Sequence, residues 1–234
     1  MDLFMPQGVK CIFCKREVDS DSICPECIER LHFIGDNVCP QCGGISDRES
    51  GGICSECENN KVHYNSCFCV LNYDGDIVGK LAEIKNKNKK HYIPPLARLM
   101  LDKFNKTDIP FDMIIPIPIT IDRLSERGFN QAEELAQEIK SAYGRVYTDI
   151  LVKSRITPHQ TGLGRKNRKE NLKGSFEVTD KTRVKGKIIL LIDDVYTTGS
   201  TISESAKVLR KCGASKVYGL CLCRSPINKH YIQD

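Results

Sequence analysis

The chain has 234 residues, 40% of them hydrophobic, which is enough for one α/β domain of ordinary size and a smaller companion. No apolar run is long enough to insert into a membrane, and residues 1–10 are too short and too polar for a signal peptide, so the expectation is cytoplasmic. The formal charge of +5 conceals an asymmetry: residues 1–63 hold eleven carboxylates against six basic residues, while 80–106 hold eight basic against two acidic and 153–187 eleven against three.

Four Cys-x-x-Cys pairs open the chain: Cys11/Cys14, Cys24/Cys27, Cys39/Cys42 and Cys54/Cys57. A cytosolic compartment keeps thiols reduced, so four regular pairs predict metal ligands rather than disulfides. Two pairs complete one tetrahedral thiolate site, giving two structural zincs with no open position for chemistry. Sequential and crossed pairing both satisfy the count. The segment is too poor in large apolar residues to fold on its core alone, so zinc would supply its folding energy. Its acidity favours a scaffolding or protein-contact role over nucleic-acid binding. Cys67, Cys69, Cys212, Cys221 and Cys223 fall outside the pattern and read as small buried residues. His63 is not needed as a ligand.

From residue 64 the pattern changes to alternating strands and helices. Ser66–Tyr73 reads as a strand, and Asp74-Gly75-Asp76 as a turn. A helix follows with Ile77, Leu81 and Ile84 on one face, and a second near 95–105 carries Leu96, Leu99, Met100 and Phe104 inward. Met113–Pro118 is a buried strand stopped by prolines. Arg123, Arg127, Gly128, Phe129, Asn130 and Gln131 then precede a helix bearing Leu135, Ala136 and Ile139. This order predicts a parallel sheet whose strand ends form a ligand-binding rim, with two arginines suited to pyrophosphate. Residues 153–176 read as a long, mobile basic loop, able either to close over a polyanion or to receive single-stranded DNA.

The decisive stretch is Ile188–Thr201. Ile188 to Ile192 form an uninterrupted apolar run, expected of a strand buried on both faces. It ends in Asp193 and Asp194, then in Thr197, Thr198, Gly199, Ser200 and Thr201, after which the spacing turns helical. A helix N-terminus with free N–H groups and hydroxyls accepts a phosphate. The two carboxylates would repel phosphate but suit the vicinal hydroxyls of a ribose. A final strand follows at Lys216–Cys223, and Arg224, Pro226 and Tyr231 after it make no nucleobase signature.

Position for position, Asp193–Thr201 resembles the phosphoribosyl-pyrophosphate (PRPP) loop of type I phosphoribosyltransferases. Four cysteine pairs, Ile115-Pro-Ile-Pro118, Arg127-Gly-Phe-Asn-Gln-Ala132, Gln160-x-x-Leu163 with Arg168 and Asn171, and that loop, in this order, look like the ComF family. The likeness spans essentially the whole chain, and Arg127–Ala132 is its most family-specific piece. It implies a type I phosphoribosyltransferase fold, a central parallel sheet flanked by helices, over residues 64–234, behind a double zinc ribbon of four-cysteine sites over 1–63. It also implies PRPP with Mg²⁺ on Asp193, Asp194 and Thr197–Thr201. Lys85, Arg123, Arg127, Arg155, Gln160, Arg168 and Asn171 would face pyrophosphate as rim or flexible loop. Glu126 departs from the family's more basic lead-in to the motif and weakens that contact.

Three functions follow. The first is an accessory of DNA uptake in natural transformation, binding PRPP and single-stranded DNA, the latter through Arg165, Lys166, Arg168, Lys169 and the lysine run. A DNA-uptake helicase or another competence protein would meet the zinc head. A shortage of stacking aromatics makes such binding backbone-led and salt-dependent. The second is an active phosphoribosyltransferase with an unidentified acceptor. The third is a PRPP-sensing adaptor.

Overall fold

The computed structural model describes residues 9–18, 22–48, 52–143, 146–147, 149–154 and 172–225. The basic segment 155–171, with Arg155, Gln160, Arg165, Lys166, Arg168, Lys169 and Asn171, lies outside them.

Turns and single helical turns build the cysteine-rich head. Strands β1 (Val9–Lys10) and β2 (Glu17–Val18) pair antiparallel. Helix α1 (Pro25–Glu29) starts on Pro25, where a missing N–H leaves nothing unsatisfied, and α2 (Ser55–Glu58) has the same placement relative to its cysteines. Both helices follow an extended cysteine, Cys24 or Cys54, so each pair spans one helical turn and turns both sulfurs to one side.

The larger part alternates. Strand β3 (Ser66–Asn72) leads into α3 (Gly75–Lys87) and α4 (Ile93–Phe104). Strand β4 (Met113–Pro116) is followed by α5 (Ile121–Arg127), α6 (Gln131–Tyr143) and β5 (Val146–Tyr147). An antiparallel pair, β6 (Leu151–Lys153) with β7 (Phe176–Val178), brackets the basic segment. Then come α7 (Lys181–Val184), β8 (Ile188–Tyr196), α8 (Ser200–Lys211) and β9 (Lys216–Arg224). The main sheet is parallel throughout, in the order β3-β9-β8-β4-β5.

The expected run at Ile188–Ile192 lies at the heart of this sheet. Alternate side chains take opposite faces: Leu190 and Ile192 pack with α3, α4 and α6, while Ile189 and Leu191 pack with α8. Each of these four is fully buried. The head straddles the β3 side of the sheet. Cys11, Cys24 and Cys27 join the core of the first face, and Cys39, Cys42, Cys54 and Cys57 that of the second. Its connecting chain also covers the outer edge of β3. Ile34 N–H donates to the Val70 carbonyl at 2.9 Å, Asn72 N–H to His32 at 2.8 Å, and Cys67 N–H to Gln41 at 2.9 Å. An exposed strand edge is a template for unwanted pairing, and here it is occupied.

Two features depart from the sequence reading. Arg123 and Arg127 ride on a short helix rather than a loop, because Thr120 caps its start and Gly128 ends it in the left-handed region at φ 76°. Cys212 is only half-buried, since it falls at the C-terminal cap of α8 and not on a strand. Cys67, Cys69, Cys221 and Cys223 are buried as expected. Among the described residues no helix is long and apolar enough to cross a membrane.

Candidate functional site

Two kinds of site emerge. The first is metal-binding, and its pairing is sequential. Cys11, Cys14, Cys24 and Cys27 bring their sulfurs within 4.8 Å of one another, and so do Cys39, Cys42, Cys54 and Cys57. Four sulfurs about 2.3 Å from one zinc define a tetrahedron of edge roughly 3.8 Å. The separations of 3.6 Å for Cys14–Cys24 and 3.9 Å for Cys42–Cys54 fit that solid. Backbone N–H groups of Cys24 and Cys54 each donate to a ligand sulfur at 3.4 Å, the polarity a thiolate needs. The Arg16 backbone N–H, its strongest influence, holds the Cys14 thiol down to about 6. Each tetrad also has an arginine against a sulfur, Arg30 on Cys27 at 3.4 Å and Arg224 on Cys42 at 3.7 Å. Closed, four-cysteine and largely buried, both sites are structural.

The second site lies at the carboxyl ends of β4 and β8. Asp193 and Asp194 belong to the last residues of strand β8 rather than to the loop. Asp193 Oδ1 accepts from the Asp194 N–H at 3.0 Å, and Asp194 Oδ1 from Val195 N–H at 2.7 Å. Burial, and then the neighbouring Asp194, push the Asp193 carboxyl well above the ordinary carboxylate range. Thr197 is exposed, Thr198 Oγ1 lies 2.9 Å from Ser200 Oγ, and Gly199 at φ 71° turns the chain into α8. The twelve-residue helix therefore presents its free N–H groups, and its positive end, beside the two carboxylates.

A cation cluster faces the acid pair. Lys85 from α3, Arg127 from α5 and Lys153 from β6 each sense the charge of Arg123 on α5, and Lys85 and Arg127 also that of Asp194, Lys153 that of Asp193. Burial, then Arg127, depresses the Lys85 ammonium; burial, then Arg123, does the same to Arg127 and to Lys153. Among the described residues none of the four closes a salt bridge.

The sequence reading named Lys85, Arg123 and Arg127 but passed over Lys153, which was only one of many basic residues in its segment. Nothing in the sequence ties residue 153 to residue 123. The antiparallel pairing of β6 and β7 fixes where Lys153 sits, with its ammonium over the Phe176 ring at 5.5 Å, and the tertiary fold brings Arg123 near enough for their charges to interact. Phe129 and Asn130 of the Arg127–Ala132 motif are scaffold. Phe129 is buried, and Asn130 donates to the Ile117 carbonyl at 2.9 Å while accepting from Ala132 N–H at 3.1 Å, which locks α6 to the end of β4. The lysine run is less of a free basic track than its composition promised. Lys80 pairs with Glu83, Lys90 with Glu134, and Lys103 donates to the Ile34 carbonyl.

Known proteins share both parts of this sequence. The phosphoribosyl transferase domain model matches residues 95–232, and the double zinc ribbon domain model matches 1–58. The DNA utilization protein YhgH of Escherichia coli O6:H1 is 30% identical over 223 residues, covering 92% of this chain and 90% of the relative. The chain belongs to the ComF family. Other relatives of this ComF-family chain are competence protein F of Haemophilus influenzae, 26% identical over 232 residues (96% and 94% of the two chains), and competence protein ComFC of Streptococcus pneumoniae. The latter is 40% identical over 111 residues, 47% of each chain. The fold is the type I phosphoribosyltransferase fold, with structural zinc in the head.

Proposed function

We propose that this protein binds PRPP with Mg²⁺ and assists the handling of single-stranded DNA in the cytoplasm during natural transformation. The observation that carries the ligand is the cluster of Lys85, Arg123, Arg127 and Lys153 set across from Asp193 and Asp194. The 5′-phosphate would occupy the amino end of α8, the ribose hydroxyls would meet the aspartates, and the pyrophosphate would meet the cations. Mg²⁺ would offset part of the pyrophosphate charge, and a cation held near Asp193 and Asp194 would favour their ionised forms. Residues 1–63 act as the zinc head and 64–234 as the ligand-binding domain. The head is the surface offered to another protein of DNA uptake.

The DNA part of the reading rests on the relatives' names, competence protein F and DNA utilization protein, and on the charge of the 155–171 segment. Arg165, Lys166, Arg168 and Lys169 are assigned to the strand's phosphates. The test is a titration of the zinc-loaded protein with fluorescent single-stranded DNA at several salt concentrations, with and without Mg·PRPP. Binding that weakens with salt and shifts with PRPP supports the proposal. PRPP binding without DNA binding leaves a transferase or sensor. A quadruple change of those four residues to Gln that leaves the salt slope intact removes the segment from the DNA site.

A further inference from the structure

The end of β9 carries a buried guanidinium that the ligand site does not use. Arg224 is 3% exposed. Its Nη1 donates to the carbonyl of Thr197 at 2.6 Å and to that of Ser225 at 3.3 Å. Its Nη2 donates to Cys42 Sγ in the second tetrad at 3.7 Å and to Glu56 Oε2 on α2 at 3.2 Å. The guanidinium plane covers the Tyr196 ring at 4.4 Å, and the Tyr196 hydroxyl meets that of Tyr64 at 2.7 Å. One side chain thus joins the loop after β8 to a cysteine of the second tetrad and to α2, and through Tyr196 it stands next to Tyr64 on the chain that links head to sheet.

The surroundings are shaped for it. A Cβ on Gly44, in the turn of the second tetrad, would lie 2.7 Å from Arg224 Nε, and one on Gly199 would lie 2.1 Å from the Tyr196 hydroxyl. One turn is therefore packed onto Arg224 and the other onto Tyr196, and those two side chains are stacked on each other. The electrostatics agree. A buried guanidinium needs a fixed negative partner, and four thiolates outweigh the charge of the zinc they hold. Arginine's planar fork can reach a carbonyl with one nitrogen and a thiolate with the other, which a lysine cannot.

We propose that Arg224 is a positioning residue that ties the Thr197–Thr201 loop to the second zinc tetrad, so that metal in that tetrad sets the loop for its ligand. This rests on the loop being the PRPP site, and the tie itself is measurable without any ligand. The experiment uses the full-length zinc-loaded protein and its Arg224→Gln, Arg224→Lys and Glu56→Gln variants. Zinc per chain, amide hydrogen exchange, and affinity for Mg·PRPP and for pyrophosphate are read in each.

In Arg224→Gln the amides of 197–201 are expected to exchange about tenfold faster, the size of one lost charge-assisted hydrogen bond, with amides of β3 and β8 unchanged. Two zincs stay bound, and PRPP affinity falls by a similar factor. Arg224→Lys, keeping the charge but reaching one partner at a time, should fall between. Unaltered loop exchange in Arg224→Gln, with both zincs retained, overturns the tie. Exchange raised evenly across the sheet also overturns it, because that is general loosening. Should Arg224→Gln not fold, Arg224→Lys and Glu56→Gln decide by the same loop amides. A wild-type protein that binds neither PRPP nor pyrophosphate defeats the ligand reading, while the exchange data still judge the tie.

Discussion

Gly199 offers the sharpest check on how the 197–201 loop is built. At φ 71° it occupies backbone space that an L side chain enters at a cost of about 1–2 kcal/mol. An added methyl would also sit 2.1 Å from the Tyr196 hydroxyl and 2.4 Å from Cζ. Tyr196 cannot step aside easily, because Tyr64 holds its hydroxyl and Arg224 covers its ring. Overpacking against a fixed neighbour adds about 1–3 kcal/mol. The two together give roughly 2–5 kcal/mol, or about 4–20 °C in Tm for a chain of this size. Thermal unfolding of Gly199→Ala by circular dichroism, in the wild-type and a Tyr196→Leu background, separates the contributions. Leucine lacks the two closest atoms, so the penalty of Gly199→Ala should shrink there towards its backbone part. A Gly199→Ala protein with unchanged Tm and unchanged PRPP affinity would refute the packing described for the loop.

The other expectations concern charge and ligand. Asp193 keeps its proton above the ordinary carboxylate range, so it stabilises the fold at acid pH, and that stability is lost as pH climbs through the raised value. Asp193→Asn, which cannot ionise, should therefore gain Tm over the wild type progressively as pH rises above the ordinary carboxylate range without ligand, and lose Mg·PRPP affinity; a difference constant with pH refutes the desolvated, repelled carboxyl. Lys153→Met should raise the Tm of the ligand-free protein and lower its affinity for pyrophosphate, since its charge is already disfavoured by burial and Arg123; equal affinity removes Lys153 from the anion site. Saturating Mg·PRPP at about a hundred times its Kd should stabilise the wild type by about 2.7 kcal/mol, seen as a concentration-dependent thermal shift. Tyr64→Phe strands one buried hydroxyl and should cost about 1–3 kcal/mol, whereas Tyr64→Phe with Tyr196→Phe should cost less than the sum. Additive effects would mean that the two hydroxyls are not paired.

What could be read from the sequence was whatever is local. The apolar run Ile188–Ile192, the acid pair and the hydroxyl-rich turn after it are contiguous, so their chemistry and their place on a strand and a helix start were visible together. The cysteine pairs showed their ligand role through spacing, but not which pairs share a metal, because that depends on how the turns stack. Lys153 and Arg224 were illegible for the same reason. Each acts on residues far from it along the chain: Lys153 towards Arg123, Arg224 towards Thr197, Cys42 and Glu56. Sheet order sets Arg224 beside Tyr196 at the start of the loop, and the tertiary fold brings Lys153 towards Arg123. The helix α5 was missed because its apolar residues Ile121 and Leu124 face solvent and show no buried stripe.

The position of β9 governs how the molecule can be made. It is the last strand of the sheet to leave the ribosome, yet it lies between β3, the first, and β8. Until residues 216–224 arrive, β3 and the zinc head packed along it have no strand through which to join the rest of the sheet. Arg224 arrives with the last residue of β9, so until then the Thr197 carbonyl has no link through it to Cys42 and Glu56. Nascent chains therefore spend their synthesis as two halves, and a chain broken off before β9 leaves the bare flanks of β3 and β8 open to aggregation and proteolysis.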